Sequence, residues 1–210
     1  MNEIERFKEL VFLALSNVDE SYYRTTYNNI ENFKMAFFNR MGRMRGNNFE
    51  RYGERVFCYE FYHQLRKLID AEREENGQFL NEAKLQAEVQ KMQIIELEQS
   101  LGLNPMSGEF APDFLMHSPG NANSHPFVIE VKCEHDISSR KIFRDLLKLN
   151  EFIIKYNYIC GIFLSVNSSN EYISTLLEEL EPKIQGLQGR GSIIVINKQE
   201  QNINHNVWQL

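Results

Sequence analysis

From residue 127 onward the chain alternates between two hydrophobic periods, and that alternation restricts it to a layered α/β architecture. Phe127-Val128-Ile129-Glu130-Val131-Lys132 reads as a strand. From Ser138 or Ser139 to about Tyr156, the residues Ile142, Leu146, Leu149, Phe152 and Ile153 fall on one helical stripe, with a serine placed to cap the first turn. Tyr158 to Val166 is an apolar run of strand length, residues 170 to 185 form a second amphipathic pattern, and Ser192 to Asn197 a last strand. Strands and helices in such succession bury their apolar faces as a sheet covered by helices, so a mixed α/β sheet is expected.

Upstream the helical period dominates. Residues 3 to 15 carry Ile4, Phe7, Leu10, Val11 and Ala14 at helical spacing, and residues 28 to 41 carry Ile30, Phe33, Met35, Phe37 and Phe38 before Gly42. A tyrosine-rich connection joins them. A long helix is expected from Phe49 to about Ala71 through Val56, Tyr59, Phe61, Tyr62, Leu65 and Leu68, ending in the polar run Glu72 to Gly77. Ala83 to Gln90 alternates strictly and is read as a strand, although its Ala, Leu, Glu, Gln and Lys content favours a helix. Ile94 to Leu101 is expected as a short helical turn, and Ser118 to Asn123 as a hairpin connection. Residues 1–47 then form an N-terminal helical extension packed on a core of residues 48–210, one domain overall. The tail from Asn202 to Leu210 is expected to pack on its own domain; the alternative is a tail that docks through Trp208 or mediates self-association.

The face that matters chemically is one side of the first strand. Side chains alternate along a strand, so Val128, Glu130 and Lys132 share a face. Asp113, in Ala111-Pro112-Asp113-Phe114, stands 17 residues ahead of Glu130 at the start of a preceding strand. A hairpin between the two strands brings both carboxylates to one spot. Mg²⁺ is a hard cation that takes oxygen ligands, usually one or two carboxylates plus water and phosphate, and Asp113 and Glu130 suit that role. A nearby cation disfavours a lysine's ammonium form, which suits Lys132 to position or deprotonate an attacking water.

Pro112-Asp113 followed by Glu130-Val131-Lys132 resembles the motif of the PD-(D/E)xK nuclease superfamily. The resemblance spans about residues 53 to 166. It implies a restriction-endonuclease-like fold: a mixed sheet flanked by helices, here with an N-terminal helical extension. It also implies a metal-dependent nuclease, with Asp113 and Glu130 as ligands of Mg²⁺ or Mn²⁺, and DNA expected before RNA. Such proteins commonly carry a further glutamate on a helix ahead of the core, and Glu60 stands at that place. The alternative is a catalytically silent domain of this fold that binds nucleic acid or protein. In either case a homodimer or a protein partner is expected to complete the nucleic-acid surface of so short and acidic a chain.

Two other chemistries are weaker. Cys133-Glu134-His135 offers a thiol and an imidazole on one strand face, but no second Cys/His pair of metal spacing accompanies them. Gly186 to Gly191 lacks the Lys-Ser/Thr that would complete a phosphate-binding loop. His63, a turn from Glu60, reads first as a structural histidine.

Charge and composition set the outer limits. A net charge of −6 argues against a general nucleic-acid coat, so any phosphate contact must come from local basic groups. Arg43 and Arg45 in Arg40 to Asn48 form one such group, or else a solvated turn between helices. Lys141, Arg144 and Lys148 form another on one side of a helix. No run approaches ~20 apolar residues and the acidic Met1 to Glu5 lacks a signal peptide's basic region, so a cytoplasmic location away from membranes is expected. Cys58, Cys133 and Cys160 are odd in number and scattered, which favours reduced thiols.

Overall fold

The structure, a computed structural model, describes residues 3–27, 42–45, 48–80, 83–87, 111–118, 125–199 and 206–210, with the backbone path alone at 42–45 and 48. The helix expected over 28–41, the turn over 94–101 and residues 119–123 of the hairpin connection lie outside the described residues.

The centre is a mixed six-stranded sheet. It consists of β4 (Lys84–Ala87), β5 (Phe114–His117), β6 (Phe127–Cys133), β7 (Cys160–Val166), β8 (Ile193–Lys198) and β9 (Asn206–Gln209), in that order across the sheet. β4 pairs with β5 and β5 with β6 antiparallel, β6, β7 and β8 are mutually parallel, and β9 returns antiparallel to β8 on the far edge. The hairpin inferred between the Asp113 strand and the Glu-x-Lys strand is present, and the alternating segment after Ala83 is a strand over its described part. At the other edge, Val195 stands opposite Trp208 and the C-terminal tail lies on its own domain.

Two layers of helix cover the sheet. On one face α1 (Glu3–Asn17) contributes Phe7, Leu10, Val11 and Ala14, and α2 (Glu54–Glu75) contributes Phe57, Phe61, Leu65 and Ile69, spaced at three and four. They meet Phe127, Ile129, Val131 and Cys133 of β6. On the opposite face α3 (Ser139–Tyr156) and α4 (Asn170–Ile184) pack on Val128, Phe163 and Val195. The period of two thus sorts each strand between two cores, and Glu130 and Lys132 follow Val128 to the α3 side. Ser138 caps α3 by accepting the Lys141 N–H, and Asn157 ends it in the left-handed region at φ 57°.

The N-terminal segment is only partly helical. β1 (Arg24–Tyr27), β2 (Gly42–Arg45) and β3 (Asn48–Tyr52) form a second, antiparallel sheet in the order β1-β3-β2. The expected helix from Phe49 therefore starts five residues later. Gly53, at φ −118° and ψ 78°, separates β3 from α2, and Glu50 is held by Arg24 at 3.0 Å and by the Tyr52 hydroxyl at 2.9 Å. The tyrosine-rich connection and the arginine-rich stretch, read as linkers, both supply strands, because Thr25, Thr26 and Tyr27 suit a pleated ribbon once β3 provides a partner. This pairing joins residues on either side of the expected boundary at 47–48. Cys58, Cys133 and Cys160 are free thiols. Among the described residues, no helix is long and apolar enough to cross a membrane.

Candidate active site

The site forms where β6 ends. The β5–β6 register sets Phe114 opposite Ile129, so Asp113, one residue before β5, stands opposite Glu130. Its Oδ2 accepts the Val131 N–H at 2.7 Å. The aspartate of the Pro-Asp pair is therefore bonded to the middle residue of Glu-x-Lys.

α3 completes the cluster from one face. Asp145 interrupts the stripe of Ile142, Leu146 and Leu149 and is fully buried, with Lys148 one turn further on. Lys148 Nζ lies 2.6 Å from Glu130 Oε2, 3.4 Å from the Ala111 carbonyl and 3.9 Å from Asp145 Oδ1. Lys132 Nζ lies 3.4 Å from Asp145 Oδ2 and 3.9 Å from Glu54 Oε1, and donates to the Val131 carbonyl at 2.7 Å. Asp145 Oδ1 and Oδ2 accept no hydrogen bond among the described residues; Lys132, Arg144 and Lys148 lie 3.4, 3.5 and 3.9 Å from them.

From the other face comes the start of α2. Glu54 Oε2 accepts the Cys133 N–H at 3.3 Å while its other oxygen faces Lys132. The helical acid at the cluster is thus Glu54, where Glu60 was expected. Six residues at 100° per residue separate the two by roughly 120° around the helix, and Glu60 instead takes a 2.6 Å hydrogen bond from Gln64.

Burial governs the electrostatics. Glu130 is 1% exposed, and desolvation pushes its carboxyl up to about 8 against the pull of Lys148. Desolvation also raises Asp113 and Glu54, although Lys132 and a backbone N–H at each act the other way. For Lys132, burial lowers the value, but Asp145, Glu54, Asp113 and Glu130 together outweigh it and leave it raised. Lys132 is accordingly an ammonium ion at neutral pH. The weakening of that form expected from a neighbouring cation is opposed by four carboxyl groups.

Asp113 and Glu54 open onto a cleft of about 200 Å³ lined also by Arg55, Cys58, Tyr59, Ala87 and Phe114. The expected phosphate-binding cations are differently placed. Lys148 is inside the cluster, Lys141 is bonded to Glu134 at 2.6 Å, and Arg144, 62% exposed, reaches Asp145 Oδ1 at 3.5 Å. The side chains of Arg43 and Arg45 lie outside the described residues. His63 is exposed, and Cys133 turns into the core, where it accepts from Asn167 at 3.2 Å.

The donors suit a hard cation. Asp113 and Glu130 make the two carboxylates that Mg²⁺ commonly takes, and the buried Glu130 Oε1 has no hydrogen-bond partner among the described residues. Among the described residues, no group of three or more His, Cys, Asp or Glu is arranged to hold an ion. Asp145 and Glu54 were not singled out from sequence; the one signal for Asp145 is an acid on an otherwise apolar stripe. Comparison with family models, curated proteins and solved structures found no match.

Proposed function

We propose that this protein is a metal-dependent nuclease that hydrolyses phosphodiester bonds of nucleic acid, DNA first, on a restriction-endonuclease-like core. One observation carries the reading: Asp113, opposite Glu130 in register, is hydrogen-bonded to Val131 between Glu130 and Lys132. The order α2, β4, β5, β6, α3, β7, with the first three strands antiparallel and the fourth parallel, supports the core assignment.

Asp113 and Glu130 would hold Mg²⁺ or Mn²⁺. When bound, the ion supplies Lewis acidity at the phosphoryl oxygen and acidifies a water. Lys132 keeps its proton and serves as a fixed ammonium that orients the phosphate or the attacking water. Glu54 and Asp145 aim it from either side. Glu54, which also lines the cleft, is the carboxyl group placed to exchange a proton with a substrate there.

A second reading is favoured by Lys148, which already occupies Glu130 from within at 2.6 Å: a silent domain of the same fold that binds nucleic acid or protein. Cleavage of single- and double-stranded DNA and RNA with Mg²⁺ or Mn²⁺ separates the two. Glu130→Ala is expected to lose metal binding and cleavage together. Lys132→Ala is expected to bind the ion within about threefold of wild type yet cleave ~10²–10³-fold more slowly. Metal uptake without cleavage of any substrate would favour the silent domain.

A further inference from the structure

Lys148 has no step in the proposed reaction, yet its side chain is as deeply buried in the cluster as that of Lys132, each 12% exposed. Its ammonium is surrounded by a carboxylate oxygen of β6, a carbonyl of the loop before β5 and a carboxylate of its own helix, at 2.6, 3.4 and 3.9 Å. That is an all-oxygen set of the kind a hard cation takes. Its side chain is 12% exposed, so little solvent screens the pair.

Resting on the metal-site reading above, we infer that Lys148 is a tethered cation that competes with a divalent ion for Glu130. The cluster then has two forms, one filled by Lys148 and one holding the ion with the lysine displaced. The competition follows from the occupied oxygen. An ammonium 2.6 Å from Glu130 Oε2 and an ion at ~2.1 Å from the same carboxylate would place two cations side by side in a medium where like charges repel strongly. The flexible four-carbon stem of a lysine permits the exchange. Lys132 does not share this role, because its ammonium faces Asp145, Glu54 and the Val131 carbonyl. If Lys148 fills the site in about nine molecules of ten, apparent metal affinity falls about tenfold below the intrinsic value.

Mn²⁺ binding measured by electron paramagnetic resonance on wild type, Lys148→Gln and Lys132→Gln tests this. Each variant removes one positive charge from the cluster, so a general electrostatic effect moves both alike. Displacement predicts that Lys148→Gln binds Mn²⁺ about tenfold tighter while Lys132→Gln changes less than about threefold. Equal tightening in both overturns the inference and leaves the nuclease reading standing if cleavage persists. Failure of all three proteins to take up Mn²⁺ overturns both. In the unaltered protein, ¹⁵N-lysine spectroscopy is expected to show the Lys148 ammonium resonance shift at saturating Mg²⁺; an unmoved resonance at saturation overturns the inference even if Lys148→Gln misfolds.

Discussion

Glu130 ties stability to pH at a single carboxyl. Burial raises it from 4.5 to about 8, so the folded state binds this proton more tightly than the unfolded chain does. The stability associated with that proton is complete below about 4.5 and is lost as pH rises through about 8. Glu130→Gln removes the titration. The urea midpoint of wild type is therefore expected to fall further than that of Glu130→Gln between about pH 6 and about pH 9. A parallel fall in both would place the titration elsewhere. The residues of this site were unevenly legible. Asp113, Glu130 and Lys132 declare themselves through a period of two and a hairpin, both local properties of the chain. Choosing Glu54 over Glu60 depends on where α2 starts, which Gly53 and the pairing of β3 decide. Asp145 becomes meaningful only once β6 is known to lie beneath α3.

At the scale of elements, α3 is the part on which the cluster depends. It carries Asp145 and Lys148, and its placement rests on the Ser138 cap and on Ile142, Leu146 and Leu149, all fully buried. Ser138→Ala is expected to cost about 1 kcal/mol in urea unfolding. Leu146→Ala is expected to cost about 3 kcal/mol, the usual range for a truncated core leucine. Values near zero for both would mean that α3 is not anchored as described. Helices α1, α3 and α4 and strands β6 to β8 were readable because each buries a continuous stripe or run against the sheet. β1 and β2 were not, since four-residue strands of Arg, Thr, Tyr, Gly and Met gain their structure from pairing with β3 rather than from their own pattern.

For the whole molecule, the sheet's far edge is closed by the tail. β9 pairs along β8 from Ile194 to Asn197, and Leu210 N–H donates to the Ile193 carbonyl at 3.1 Å. The polar composition of the tail concealed this strand, because an edge strand facing solvent needs few apolar residues: Asn206, Val207 and Gln209 are exposed and Trp208 is half-buried. Removing residues 206–210 uncovers the backbone of β8, and concentration-dependent self-association is expected in light scattering. A monomeric truncated chain of unchanged stability would show that β9 is dispensable.

The proposed function requires that Asp113 and Glu130, brought opposite each other by the β5–β6 hairpin, form one metal-dependent phosphodiesterase site. The most direct test is strand scission of end-labelled single- and double-stranded DNA by wild type, Asp113→Asn and Glu130→Gln, in Mn²⁺ and in chelator. The prediction is scission by wild type in Mn²⁺ alone, with both variants inactive though folded. Scission that survives either substitution, or that proceeds in chelator, would contradict it.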